Sequence, residues 1–338
     1  MQKVAIFLLI FILCSCNEQK KKDNSIPSIN EIVTGIEKKN RVDAQFIGIS
    51  NKPSKQWSKY EQLKETATEE QLITLTNHKN SVVRCYAFQV LAARNSTHVF
   101  NVLLKHLHDT TTVSTINGDM GCEMYVGDYF IEIVTPNYID NKLYKLSKKE
   151  RETLDSILIY DKSIHLYEKS TVLENIKPTI GNYKIIKELV GKEKNIDALT
   201  ALAKYHRQSD KKLIASFFKD EKTKNYALMS VIEFPDDFFY PFVKRILLNE
   251  WTPTDGGYDS NRLILCYEAL AKYPRAETIE LFEKTIKIKD ESRYKTLCEY
   301  LLIGISKYPN KIYEPIKQKI KVDEGVMNSV NDYLEYDK

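Results

Sequence analysis

His78-Lys79-Asn80-Ser81-Val82-Val83-Arg84-Cys85-Tyr86-Ala87-Phe88-Gln89-Val90-Leu91 runs, past Arg94-Asn95-Ser96, into Val99-Phe100-Asn101-Val102-Leu103-Leu104-Lys105-His106-Leu107. In the second half Phe100, Leu103, Leu104 and Leu107 fall at i, i+3, i+4 and i+7, the spacing that lays one apolar stripe along an α-helix. The polar break between the halves is too short for anything but a tight connection. The stretch therefore predicts two helices folded back on each other.

Three later segments share the plan: Tyr226 to Phe234, Pro235, then Phe238 to Leu248; Leu263 to Tyr273, Pro274, then Ile279 to Ile288; and Tyr294 to Tyr308, Pro309, then Ile312 to Ile320. Leu263, Cys266, Tyr267 and Leu270 repeat the helical spacing, as do Tyr294, Leu297, Cys298 and Leu301. The prolines at 235, 274 and 309 each follow an aromatic, where a residue with fixed φ and no N–H closes one helix and opens another. A pair of this size cannot bury its stripe alone, so successive pairs must stack and share a core.

The composition agrees with helices joined by brief loops. Of 338 residues, 43% are hydrophobic and only 11 are Gly and 10 Pro, too few to punctuate a many-stranded sheet. The formal net charge is +4, with the excess near the N-terminus: residues 17–55 carry eight Lys/Arg against five Asp/Glu. A body with cancelling charge lacks the basic stripe that nucleic acid requires, which excludes DNA or RNA as the expected partner.

The segment from about 75 to 109 resembles a HEAT repeat. The resemblance rests on the Asn80-Ser81-Val82-Val83-Arg84 turn into a helix, on Ala87 and Leu91 along the inner side, and on a second helix closing at Asp109. The three later copies lack the Val-Arg pair, and their aromatic-Pro junctions lean toward tetratricopeptide-like packing. The resemblance implies an all-α fold, a right-handed α–α superhelix of the HEAT or armadillo type, over residues 56–320. A C-terminal tail at 321–338 follows it. Ser147 and Glu150 read as a capping box for a helix to Ile159, and Ile185 to Val190, Ala198 to Tyr205 and Lys211 to Phe218 as short helices. No repeat phase is legible between 117 and 194.

At the N-terminus, Met1-Gln2-Lys3 precedes ten apolar residues, Val4 to Leu13, a run too short to span a bilayer but of secretory length. It ends in Leu13-Cys14-Ser15-Cys16, which resembles the lipobox of bacterial lipoproteins. That resemblance implies removal of a signal peptide, 1–15, and acylation of Cys16. Two or three acyl chains anchor a protein where one holds it only marginally. Residues 16–55 then read as a flexible tether, opened by the polar run Asn17 to Ser25. Asn17, where enteric lipoproteins retained at the inner membrane carry Asp, implies the outer membrane of the cell envelope.

Groups that could do chemistry are sparse. Asn117 to Tyr129 holds three glycines, three acids and a cysteine, so Asp119, Glu123 and Asp128 are candidates for a cation, and Cys122 for a nucleophile. The acids lack the alternate spacing of a calcium loop, and no histidine is near to activate the thiol. Trp251 to Ser260 reads as a turn capped by Ser260, with Trp251 and Tyr258 as candidate partner contacts. His106 and His108, at i and i+2, point to different sides of a helix and do not form a metal pair. Cys85, Cys266 and Cys298 occupy corresponding inner positions, and Cys85 with Cys122 is the one disulfide worth testing. The reading is a membrane-anchored, non-enzymatic scaffold for a protein partner, without cofactor or metal. The alternatives are an envelope enzyme using the 117–129 loop, or a ligand- or glycan-binding module in which Trp57, Trp251 and Tyr258 meet.

Overall fold

The computed structural model describes residues 27–135, 144–251 and 257–336. The signal peptide, Cys16 and the first part of the expected tether lie outside them. Among the described residues no helix is long and apolar enough to cross a membrane. The chain divides into two compact units, one of residues up to 96 with 112–124, the other of 97–111 with 125 onward.

The first unit is built on α4, Ser81–Ala93, after α1 (Ile29–Lys39), α2 (Lys55–Thr66) and α3 (Glu69–Leu75). Asn80 caps α4 by accepting the amides of Val82 and Val83, and every residue from Val82 to Ala92 is buried. So complete a burial has a plain cause: α1, α2 and α3 all pack on this one helix. Ser28 and Glu31 form a capping box that starts α1, and its Ile32, Val33 and Ile36 face inward. The expected tether is thus corrected from residue 29 onward, because a capped helix with its own apolar stripe occupies that stretch.

The all-α expectation is also corrected. Most of the described chain is helical, but four strands, β1 (Val42–Ile47), β2 (Lys52–Pro53), β3 (Thr112–Gly118) and β4 (Met120–Tyr125), form a mixed sheet in the order β2-β1-β3-β4. β1 and β2 are an antiparallel hairpin, while β1 and β3 run parallel, pairing Val42 with Thr115 and Ile47 with Gly118. A parallel pair needs a crossover, supplied here by the intervening helices. The signal was weak because the strands are short, β4 is mostly exposed and β1 and β3 are largely half-buried or exposed, which leaves no apolar alternation to read.

One buried knot fastens this sheet to the helices. The Asp43 amide donates to Tyr86 Oη at 2.8 Å, and that hydroxyl donates to the Asp43 carbonyl at 3.2 Å. The Asp43 carboxylate accepts from Arg41 Nε and Ser54 Oγ, each at 2.6 Å. Ser54 Oγ in turn accepts the Gln56 and Trp57 amides and so caps α2. A carboxylate only 1% exposed is therefore fully satisfied, as a buried charge must be.

The second unit contains α5 (Val99–Lys105), α6 (Val126–Val134), α7 (Lys148–Tyr160), α8 (Tyr167–Asn175), α9 (Ile180–Gly191), α10 (Asp197–Ala203) and α11 (Lys211–Ser216). It continues with α12 (Lys224–Glu233), α13 (Tyr240–Glu250), α14 (Ser260–Ala271), α15 (Ala276–Ile286), α16 (Glu291–Lys307), α17 (Glu314–Lys319) and α18 (Glu324–Tyr336). Its packing is alternate: α6 touches α8, α8 touches α10, and so on through α12, α14, α16 and α18. Most of these row helices also pack on the helix that precedes them in sequence, as α9 on α10, α13 on α14 and α15 on α16. The stretch between 117 and 194, where no phase was legible, holds the end of the sheet and then α6 to α9, of 9 to 13 residues each, among the described residues. The expected tail at 321–338 is largely α18.

The stripes read on α14 and α16 face inward except at half-buried Tyr294, whereas on α5, which ends at Lys105, Phe100 and Leu104 are only half-buried. Leu263, Cys266, Tyr267, Leu270, Leu297, Cys298 and Leu301 are all fully buried. Pairs are also pinned to one another by polar reach, Tyr273 Oη donating to the Asp236 carbonyl at 3.0 Å and Tyr313 Oη to the Ala271 carbonyl at 3.1 Å. Lys307 Nζ lies 3.0 Å from both oxygens of Glu268, a buried carboxylate on α14.

Gly304 shows how close α16 comes to α14: a Cβ there would lie 2.7 Å from the Tyr267 carbonyl carbon and 2.8 Å from its oxygen. Helix propensity alone would make Gly304→Ala stabilising by about 1 kcal/mol. Contact with backbone that cannot rotate away opposes this, and overpacking of this kind costs about 1–3 kcal/mol. The substitution is expected to lower the thermal midpoint by several degrees; a rise would show that the two helices do not meet this closely.

Candidate functional site

The residues from 117 to 129 do not form a single loop. Gly118, at φ 59°, and Asp119 make the tight turn between β3 and β4, a conformation in which glycine meets no steric penalty. Cys122 and Glu123 follow on β4, on opposite faces of the strand, and both are exposed. Cys122 Sγ lies 3.0 Å from Thr115 Oγ1, and Ser114 Oγ donates to Glu123 at 3.4 Å. These are contacts between neighbouring strands.

Asp128 belongs to the other unit and is buried in the first turn of α6. Its two carboxylate oxygens accept the Tyr167 amide at 3.1 Å and the Glu168 amide at 2.9 Å. It therefore caps α8 from outside the helix, supplying the acceptor that Leu166, at the cap position, lacks. The four residues singled out as a cation or thiol site are thus three exposed positions on a hairpin and one structural cap. Among the described residues no group of three or more His, Cys, Asp or Glu is placed to hold a metal ion.

Trp251 and Tyr258 are brought together, but by packing. Trp251 Nε1 donates to Tyr267 Oη at 3.2 Å, and that hydroxyl sits 3.0 Å from Thr285 Oγ1. Arg293 donates to the Trp251 carbonyl at 2.7 Å and to Tyr258 Oη at 3.2 Å. Both aromatics are half-buried, so at most their outer edges are open to a partner. Most of the loop between them, 252–256, lies outside the described residues. Asp259, not Ser260, caps α14, accepting the Arg262 amide at 3.0 Å. Trp57, proposed to meet this pair, lies in the first unit with its ring 4.4 Å from Tyr60.

His106 is buried, its ring 4.9 Å from that of Phe130 and its Nδ1 3.5 Å from Asp109. His108 is exposed and faces Asp161 at 3.2 Å, so the two imidazoles do diverge. Cys85, Cys122, Cys266 and Cys298 are free thiols, which leaves the Cys85–Cys122 pairing unmade. Burial pushes the Cys298 thiol up to about 11 and raises that of Cys266 as well, so both behave as small apolar fillers.

The sequence reading passed over Lys38, Lys39, Lys52, Lys55 and Lys59, which border one cleft of the first unit. All but Lys59 fall in the stretch, 16–55, read as tether. The apolar spacing of Ile32, Val33 and Ile36 was the signal that could have rescued them.

No family model matches the chain, and no curated protein matches it either. Among solved structures, the X-ray structure of YibA from Escherichia coli is similar over 84% of this chain and 98% of that one, at 15% identity and a TM-score of 0.39. Likeness at that level carries no argument about function.

The surroundings of Asp128 generate a pH dependence. Burial raises its pKa, against the two amides that lower it, and burial likewise raises those of Glu132, Glu168 and Asp155. Arg151 moderates the last two, 2.8 Å from Asp155 and 3.2 Å from Glu168. An acid whose folded pKa exceeds its unfolded value binds its proton more tightly when folded. Its contribution to stability therefore grows as pH falls through the folded value and is complete below the unfolded one. Relative to Asp128→Asn, the natural protein is expected to gain thermal stability between neutral pH and about pH 4. A midpoint difference independent of pH would show that Asp128 is not desolvated.

Proposed function

We propose that this chain is a lipid-anchored lipoprotein of the bacterial cell envelope, directed to the outer membrane, whose helical array serves as a scaffold for a protein partner. The observation that carries the scaffold reading is the alternate packing in the second unit, where α6, α8, α10, α12, α14 and α16 each lean on the next helix of that row, ending at α18. Supports of this kind extend by addition, and they give an array broad surface in proportion to its core. The HEAT-like, right-handed superhelix is the finer form of this reading. It draws on the helix pairs at 226–248, 263–288 and 294–320, and on the Asn80-to-Arg84 turn, where Arg84 donates to the carbonyls of His78 and Lys79.

The anchor reading rests on the sequence of residues 1–16: a positive start, the apolar run Val4 to Leu13 and the lipobox-like Leu13-Cys14-Ser15-Cys16. The scaffold is favoured over an enzyme because Asp119, Cys122 and Glu123 lie exposed along a hairpin while Asp128 is engaged by two amides. No convergent pair of groups results.

The test is to isolate the chain from cells fed a labelled fatty acid, and to crosslink intact cells before a pull-down, with Cys16→Ala as control. The expected result is label on a chain beginning at Cys16, one or more proteins enriched with it, and loss of both with Cys16→Ala. An unlabelled chain retaining its leader overturns the anchor. Absence of any enriched protein, together with turnover of a substrate by the purified chain, overturns the scaffold.

A further inference from the structure

We infer that the first unit carries its own docking surface for an anionic phospholipid bilayer, formed by the cleft between α1, the β1–β2 turn and α2 together with the two hairpin tips beside it. The cleft has a volume of about 840 Å³ and is bordered by Lys38 and Lys39 from the last turn of α1, Lys52 from β2, and Lys55 and Lys59 from α2. Its one acidic lining residue, Asp43, is already engaged by Arg41 and Ser54. Lys38, Lys39, Lys52 and Lys55 have no carboxylate within ion-pair reach among the described residues, and Lys59 donates only to Gln62. Lys59 is partly compensated through space by Glu31, but Lys38, Lys39, Lys52 and Lys55 share a concave surface without ion-pair partners and repel one another, and an anion placed among them relieves that repulsion.

The lysines alone would suit any phosphate; the apolar tips decide the source. Ile49, 94% exposed, sits at the β1–β2 turn between Gly48 and Ser50, both of which line the cleft. Met120, 77% exposed, begins β4 beside the β3–β4 turn, and the two turns are joined by the Gly48 amide donating to the Gly118 carbonyl at 2.6 Å. Phe46, 41% exposed, completes the group on β1. The parallel pairing of β1 with β3 is what brings both tips to the same end of the sheet. Large apolar side chains held out on turns beside a basic surface match the chemistry of a bilayer interface, where the tips enter the acyl boundary and the lysines meet phosphate headgroups. A soluble phosphate compound would leave Ile49 and Met120 without a function. Asp119, at the β3–β4 turn, is the one acid on the tips and opposes the contact.

This inference goes beyond the anchor. Acyl chains would hold the protein at any bilayer, whereas these lysines require an anionic one. The test reconstitutes the full chain on vesicles of phosphatidylcholine alone and on vesicles with about one-third phosphatidylglycerol, and follows amide hydrogen exchange. The expected result is slower exchange over 46–55 and 118–122 on the anionic vesicles only, lost at about 0.5 M salt, where screening shortens to roughly 4 Å. Lys38→Glu/Lys52→Glu/Lys55→Glu is expected to abolish that protection. Ile49→Ser/Met120→Ser is expected to weaken it, and Asp119→Asn to strengthen it about fivefold in lipid titration. All these positions are exposed, and far-ultraviolet circular dichroism of each variant is the control for folding. Equal exchange on both vesicle types overturns the inference, whether or not Cys16 is acylated. So does protection of the same segments by inorganic phosphate without vesicles, which would assign the cleft to a soluble anion.

Discussion

Every helix of the second unit carries an apolar stripe too small to hold it folded alone, and the arrangement follows from that shortage. α7 and α9 bury three large side chains each and α13 four, each contributing about 1.5–3 kcal/mol, while ordering each residue's backbone costs about 1–2 kcal/mol. The balance turns favourable only when a second surface covers what the partner in the pair leaves open. α14 is a case in point: α13 covers one side, α12 and α16 the others, and eight of its residues are buried as a result. Polar side chains at these seams do not drive the packing but fix its register. Glu268 with Lys307, and Tyr313 with the Ala271 carbonyl, can be satisfied only at one setting of the helices.

The first unit solves its own shortage differently. There one helix, α4, is wrapped on all sides, and Tyr86 reaches from it to hold the backbone of β1 at Asp43. The same aspartate fixes Arg41 and the cap of α2 through its carboxylate, so strand, helix start and central helix are joined at a single residue. That junction also sets the turn carrying Ile49 and the lysines around it. The unit's surface chemistry is thus a consequence of how its interior is tied.

What the sequence disclosed follows the strength of local signals. Stripes at 263–270 and 294–301 were legible because their period is repeated within a dozen residues and needs no distant partner. The sheet was not legible: β1 and β3 pair across about seventy residues of chain, and Cys122 and Glu123 sit on an exposed edge with no alternation to betray a strand. The same blindness affected the candidate site. Asp128 was grouped with Asp119 and Glu123 by proximity in sequence, yet a hairpin and a helix start lie between them, and its carboxylate serves α8, some forty residues on. Lys38 to Lys55 were passed over because the polar run Asn17 to Ser25 was extended as tether across a capped helix and a hairpin that order them.

Mutual dependence of neighbouring helices is tested most directly by native-state amide hydrogen exchange across the second unit, followed as a function of denaturant. If each helix relies on the one beyond it, opening free energies are highest in α10, α12 and α14, and fall toward α6 at one end and α18 at the other, where a supporting neighbour is missing. A single opening free energy shared by all these helices would mean that the unit unfolds as one closed core, and the account of stacked, individually insufficient pairs would be wrong.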